Sequence, residues 1–277
     1  MTARLHAGTS SWSEKSWVGT FYPEGMQPGR FLSHYATQFD TVEADVTYYR
    51  IPDRKLVDGW NDKTPDGFLL AAKFPRSIVH AGDGPKPDPG RLLVLDHVGP
   101  DVEEFLAAMR RLGPKCGPLV LQFPYFNRDA FASAGPFLER LDTFLAALPD
   151  DMRFAVEIRN KAWITQPLLD LLRGHSVAFV LVDLAYMPHP NVLAQRLDLI
   201  TADFTYGRLI GDRKAIDALT DRFDKVVVDQ SKRLDGWAEL LRNYMARTRD
   251  VFVYANNHYA GHGPATIRDL VERIGPV

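Results

Sequence analysis

Eight polar or charged residues each close an apolar, strand-like run: Ser10, Glu43, Lys73, Gln122, Glu157, Asp183, Arg208 and Asn256. Carboxylates, a lysine, an arginine and two amides could bind an anion and move protons, provided the fold brings them together. Two close carboxylates push one pKa up and leave a proton donor beside a base. Glu157 and Asp183 are the expected acid–base pair, with Glu43 as the alternative base. Lys73 is expected to ion-pair with Glu43 and to stabilise developing negative charge. Arg159 and Arg208 are expected to balance the carboxylates and to orient an anionic group.

These residues need elements that make them converge. The runs near 5–10, 40–46, 67–74, 117–123, 152–158, 176–183, 202–210 and 250–256 read as strands. Several, such as VAFVLV at 177–182, are apolar on both faces, as parallel strands covered by helices are. Helix-like stretches with apolar positions three and four apart lie at 29–39, 101–112, 134–148 and 235–247. A last one spans 264–274, and Asp101 with Glu104 reads as a capping box. Alternating β and α units argue for a parallel sheet. No glycine-rich dinucleotide fingerprint follows the first strand, so a closed barrel is preferred to a doubly wound sheet. The expected fold is α/β: a single (β/α)8 TIM barrel over 1–277, with long βα loops at the C-terminal face, notably 80–99 and 184–200. Side chains alternate along strands, and in each run the polar parity is taken as the inward one.

Aromatic residues crowd the segments after the strands, and flat rings beside charges suit a sugar or a nucleobase. Trp12, Tyr49 and Trp163 are the candidates, with Arg76, Gln122 and Asn256 as polar contacts. The segment 256–265 (NNHYAGHGPA) opens a helix, and Gly261 and Gly263 are expected to let its backbone amides hold an anion. His258 and His262 are four apart and, with Asp183 or Glu157, are the one place for a divalent metal; no cofactor is otherwise expected.

The net charge of −2 excludes a global positive field for nucleic acid or an anionic membrane. With Cys116 the sole cysteine, an internal disulfide and a cysteine-rich zinc site are excluded. The apolar runs are too short to span a bilayer, and MTARLHAGTS lacks the apolar stretch of a signal peptide, so a cytoplasmic protein without membrane attachment is expected.

The segments GTSSW (8–12), WVGTFYP (17–23), FDTVEADVTYYRIP (39–52), FLLAAKFPRSIVH (68–80), LVLQFP (119–124), AVEIRNKAW (155–163) and VYANNHYAG (253–261) resemble motifs of the domain of unknown function 72, the YecE-like proteins. The resemblance runs nearly the whole chain in order and implies a TIM barrel with no established reaction. It marks Trp12, Glu43, Tyr49, Lys73, Arg76, Gln122, Glu157, Arg159, Trp163 and Asn256 as motif residues. Asp45 stands where the family commonly has Asn, Tyr48 where it has Phe, and Ile210 where a His is usual.

The leading expectation is an enzyme (hydrolase, isomerase or lyase) acting on a small polar or anionic carbohydrate- or nucleotide-like substrate by carboxylate acid–base chemistry. The alternatives are a metal-dependent barrel that processes phosphodiesters or sugars, and a non-enzymatic barrel that binds a metabolite or nucleic acid.

Overall fold

A computed structural model describes residues 3–81 and 86–276. The expected loop at 80–99 therefore lies partly outside the described residues. Eight strands run parallel: β1 (Arg4–Thr9), β2 (Thr41–Ala44), β3 (Leu69–Lys73), β4 (Cys116–Gln122), β5 (Phe154–Glu157), β6 (Ala178–Leu184), β7 (Phe204–Gly211) and β8 (Asp250–Ala255). Helices α1 (Phe31–Tyr35), α2 (Arg54–Asp62), α3 (Arg76–Val79), α4 (Leu95–Arg110) and α5 (Ala134–Ala146) belong to the first half. Helices α6 (Gln166–Gly174), α7 (Pro190–Ala194), α8 (Arg213–Asp217), α9 (Ser231–Met245) and α10 (Gly263–Ile274) complete the outer layer. This is a (β/α)8 TIM barrel.

The strand order β1-β8-β7-β6-β5-β4-β3-β2 wraps the sheet almost fully round. Ladders are long from β6 through β7 and β8 to β1, with six paired residues between β7 and β8 and six between β8 and β1. Between β5 and β6 only Ala155–Ala178 and Val156–Phe179 are in register. No backbone ladder joins β1 to β2 among the described residues. Instead the buried Tyr35 hydroxyl accepts from the Thr9 amide at 2.8 Å and donates to the Thr41 carbonyl at 3.2 Å. The strands come so close there that a methyl on Gly8 would lie 2.2 Å from the Thr41 carbonyl oxygen. The barrel is thus two four-stranded halves, β2–β5 and β6–β8 with β1, meeting at two weak seams.

The helix starts differ from expectation in two places. Helix α4 begins at Leu95, so Asp101 lies inside it and is not a cap. Pro100 within α4 imitates a first-turn proline in sequence, but here it removes one interior rung. Helix α9 begins four residues earlier than its apolar pattern does, at Ser231. Between 184 and 200 the chain carries the short helix α7 and is otherwise irregular.

Candidate functional site at the barrel mouth

Arg208, on β7, is 1% exposed and sits at the centre of the C-terminal end of the barrel. Its Nη2 donates to Glu43 Oε1 at 2.8 Å, and its Nη1 donates to Gln122 Oε1 at 2.8 Å and to Glu157 Oε2. The strand register explains this convergence: Gln122 is level with Glu157, Glu43 with Ala71, and Arg208 with Tyr254, all on the inward parity. Tyr206, two residues before Arg208, donates to Glu43 Oε2 at 2.7 Å. Arg159 Nε donates to Glu157 Oε1 at 2.9 Å. Arg208 Nε is buried without a protein partner among the described residues.

The electrostatics follow from this packing. Burial would raise the Glu157 carboxyl, but Arg208 and Arg159 more than reverse that and bring it down to about 2. Burial opposes ionisation of Glu43 too, and Arg208 and Lys73 hold it below the usual carboxylate range. Burial would strip the Arg208 charge, yet Glu43 and Glu157 keep it firmly protonated. These three groups form a permanently charged layer. Glu157 and Glu43 are therefore fixed carboxylates rather than proton donors.

The expected Lys73–Glu43 pair is not formed. Lys73 Nζ lies 2.5 Å from Asp45 Oδ1, because the 3-10 turn Asp45–Tyr48 carries Asp45 over the end of β3. Burial raises the Asp45 carboxyl above its ordinary value, more than Lys73 lowers it. Lys73 also lies 5.9 Å from the centre of the Tyr48 ring. The Tyr48 hydroxyl is 3.0 Å from His80 Nε2, and burial with the nearby Arg76 and Arg159 charges brings His80 down to about 4. Lys73, Arg76, Arg159, Asp45, Tyr48 and His80 thus form a second, outer layer above Arg208. Beyond its bond to Glu157, Arg159 leaves Nη1 and Nη2 without a protein hydrogen bond among the described residues. Asp45 was legible from parity, since it shares a face with Glu43; Tyr48 adjoins Tyr49, and His80 follows Lys73 and Arg76 in a segment that the sequence already directs to the mouth.

Asp183 does not join this cluster. Val182 is level with the inward Arg208, so Asp183 points into the helix layer. There it accepts from Trp237 Nε1 at 3.0 Å, from the Tyr259 hydroxyl at 2.9 Å and from Arg233. A strand that is buried on both faces gives no apolar contrast from which to read parity, and these donors make an outward carboxylate tolerable. The expected Glu157–Asp183 acid–base pair is therefore not assembled.

The last loop also departs from expectation. Gly263 N donates to Asn257 Oδ1 at 2.8 Å, Gly261 N to the Asn257 carbonyl at 2.7 Å, and Ala265 N to His262 Nδ1 at 3.2 Å. The amides proposed for an anion are thus already used, and Gly261 is pressed against the 225–227 segment. Asn256 turns back to cap the following turn, accepting from the His258 amide at 3.0 Å. His258 faces Asp217 at 3.1 Å, and among the described residues no group of three or more His, Cys, Asp or Glu is placed to hold a metal ion.

Most of the aromatic segments are core. Trp163 stacks on Phe126 at 5.8 Å within a buried group of rings and is only 9% exposed. Tyr49 is 75% exposed and packs edge-on against Tyr48. Trp12 is part-exposed, with its ring edge-on to Trp60. No described helix is long and apolar enough to cross a membrane.

Eight parallel strands closing round a charged C-terminal mouth define a TIM-barrel protein of the kind whose ligands enter at that face. The chain belongs to the family described as "Protein of unknown function DUF72", whose profile matches residues 6–276. UPF0759 protein YecE of Escherichia coli (strain K12) is 32% identical over 157 residues, 56% of this chain and 48% of YecE, so the match spans about half of that relative's length. UPF0759 protein YunF of Bacillus subtilis (strain 168) is 20% identical over 279 residues, covering 98% of this chain and 94% of YunF. The crystal structure of a DUF72 family protein (TM1631) from Thermotoga maritima MSB8 is similar with a TM-score of 0.67 at 26% identity, over 96% of each chain. A DUF72 family protein (EF0366) from Enterococcus faecalis V583 shares the fold with a TM-score of 0.69 at 17% identity, over 99% of this chain and 96% of that one.

Proposed function

We propose that the protein is an enzyme acting on a small anionic, carbohydrate- or nucleotide-like compound at the barrel mouth. Proton transfer in this reading belongs to Asp45 with Lys73, and binding of the anionic group to Arg159 with Arg76. One observation carries it: of the three mouth carboxylates, Glu43 and Glu157 are held down while Asp45 is pushed up. Environments that drive neighbouring carboxyls apart are what acid–base catalysis at neutral pH needs. The open Nη groups of Arg159 supply two donors suited to a phosphate or carboxylate. Glu43, Glu157 and Arg208 act beneath them as a charged floor that fixes Arg159.

A thermal-shift panel of sugar phosphates, sugar acids and nucleotides tests the binding half. Sugar phosphates and sugar acids that raise the Tm of the wild type should lose that effect in Arg159→Gln. For the best binder, turnover followed by NMR should fall by about 10²–10⁴ in Asp45→Asn, the usual contribution of a positioned acid or base. Full turnover in Asp45→Asn would remove this carboxylate from the mechanism.

A further inference from the structure

The 3-10 turn Asp45–Tyr48 has two sides. Asp45 and Tyr48 face the mouth through Lys73 and His80. Val46 and the nearby Arg50 line a different recess of about 200 Å3, with Trp12, Leu56 and Trp60. Those last three and Arg50 also line a larger recess of about 500 Å3 that adds Lys55 and Lys63.

Trp12 is a wall of both. Of the five tryptophans, Trp17, Trp60, Trp163 and Trp237 are 1%, 4%, 9% and 0% exposed, so Trp12 alone offers ring surface to a ligand. Trp60 meets it edge-on at 5.8 Å and an interplanar angle of 87°. The backbone leading into Trp12 is strained, since Ser11 holds φ at 120°. A non-glycine residue there is rare, and such outliers gather at ligand sites. The Ser11 carbonyl accepts from the Thr9 hydroxyl at 2.7 Å, which helps to hold the strained turn. The neighbouring Ser10 hydroxyl is buried without a protein partner among the described residues.

The recess is cationic as well as aromatic. Arg50, Lys55 and Lys63 outnumber Asp53, whose carboxylate already accepts the Leu56 amide at 2.8 Å. The adjoining smaller recess shares Trp12, Arg50, Leu56 and Trp60 with it and is otherwise apolar, lined by Val46 and Pro52. Those walls offer stacking and apolar contact to a flat ring, while polar edges and sugar hydroxyls keep their hydrogen bonds only on the side open to water.

We propose that this recess binds a planar ring carrying a phosphate, of the nucleoside monophosphate class. The ring stacks on Trp12 and the phosphate meets Arg50. This site is independent of the reading given to the mouth.

AMP is the probe, and acrylamide quenching of tryptophan fluorescence is the readout, because Trp12 is the ring a quencher reaches. AMP should shield the wild-type protein saturably. Adenosine, ribose 5-phosphate and inorganic phosphate should each bind about tenfold more weakly or worse. Arg50→Gln should weaken AMP about tenfold with an unchanged Tm. By isothermal titration, Trp12→Ala should lose about tenfold or more while Trp12→Phe retains most of the affinity. Arg159→Gln should bind AMP as the wild type does. The proposal is overturned if AMP gives no shielding, if ribose 5-phosphate binds equally well, or if Arg50→Gln is without effect. Loss in Arg159→Gln but not in Arg50→Gln would move the nucleotide into the mouth and equally overturn it.

Discussion

Arg208 bonds Glu43 and Glu157 at once, and its removal takes from two buried carboxylates the cation they share. Breaking a buried pair by deleting one partner costs about 3–5 kcal/mol, so Arg208→Met should lower stability by at least that much in urea unfolding. A near-neutral result would mean that the carboxylates are solvated. Glu157→Gln should be destabilising for the same reason, which is why it is a poor test of chemistry. Stability should also depend on pH in two steps. His80 and His262 are brought down from 6.5 to about 4, by burial first and then by nearby arginines. The unfolded chain therefore takes up their protons first, and the stability they add is complete above 6.5 and is lost as pH falls towards 4. Glu157 behaves likewise at lower pH: its contribution is present above 4.5 and is lost as pH falls towards 2. Replacing both histidines with Gln should flatten the slope of stability between pH 6.5 and 4; an unchanged slope would refute that assignment. At this scale the inward parity of Glu43, Gln122, Glu157 and Arg208 was legible from the sequence. The partner of Lys73 was not, because a turn decides it and not a strand. The direction of Asp183 was hidden by a strand that is apolar on both sides.

Among the elements, the join between β1 and β2 depends on side chains. Tyr35→Phe removes the hydroxyl shared by Thr9 and Thr41 and should cost about 1–3 kcal/mol by denaturant unfolding. Gly8→Ala should be worse than Tyr35→Phe, since the new methyl meets a carbonyl oxygen and β1 cannot retreat without breaking from β8, nor β2 without breaking from β3. If Gly8→Ala proves as stable as the wild type, the two strands lie further apart than described. All eight strands were legible to within two or three residues, because short apolar runs bounded by turn signals are a strong pattern. The start of α4 was not: Pro100 and Asp101 together imitate a helix beginning, and the packing of Val98 on the core overrides them. Helices α2 and α6 were missed although their apolar positions are well segregated, because each is only nine residues long. The Asn257 and His262 side chains that occupy the first amides of α10 could not be inferred from glycine spacing alone.

In the whole molecule the two half-barrels share few backbone rungs, yet Arg208 on β7 reaches Glu43, Gln122 and Glu157 on the opposite half. Tyr206 and Tyr254 cross the same divide to Glu43 and to Thr41. Charge at the centre thus compensates for sparse pairing at the rim. The single-barrel reading was legible because eight βα units leave few other closures, but the division into halves was not, since register is invisible in apolar runs. Any anion that settles over Arg159 pulls on Glu157 and so on the clasp that keeps the two shells together. Occupancy of the mouth should then be audible at a distance, as slower deuterium uptake by the amides of Ala178 and Phe179 and of the strand ends flanking Tyr35, while the long ladder between β7 and β8 stays silent.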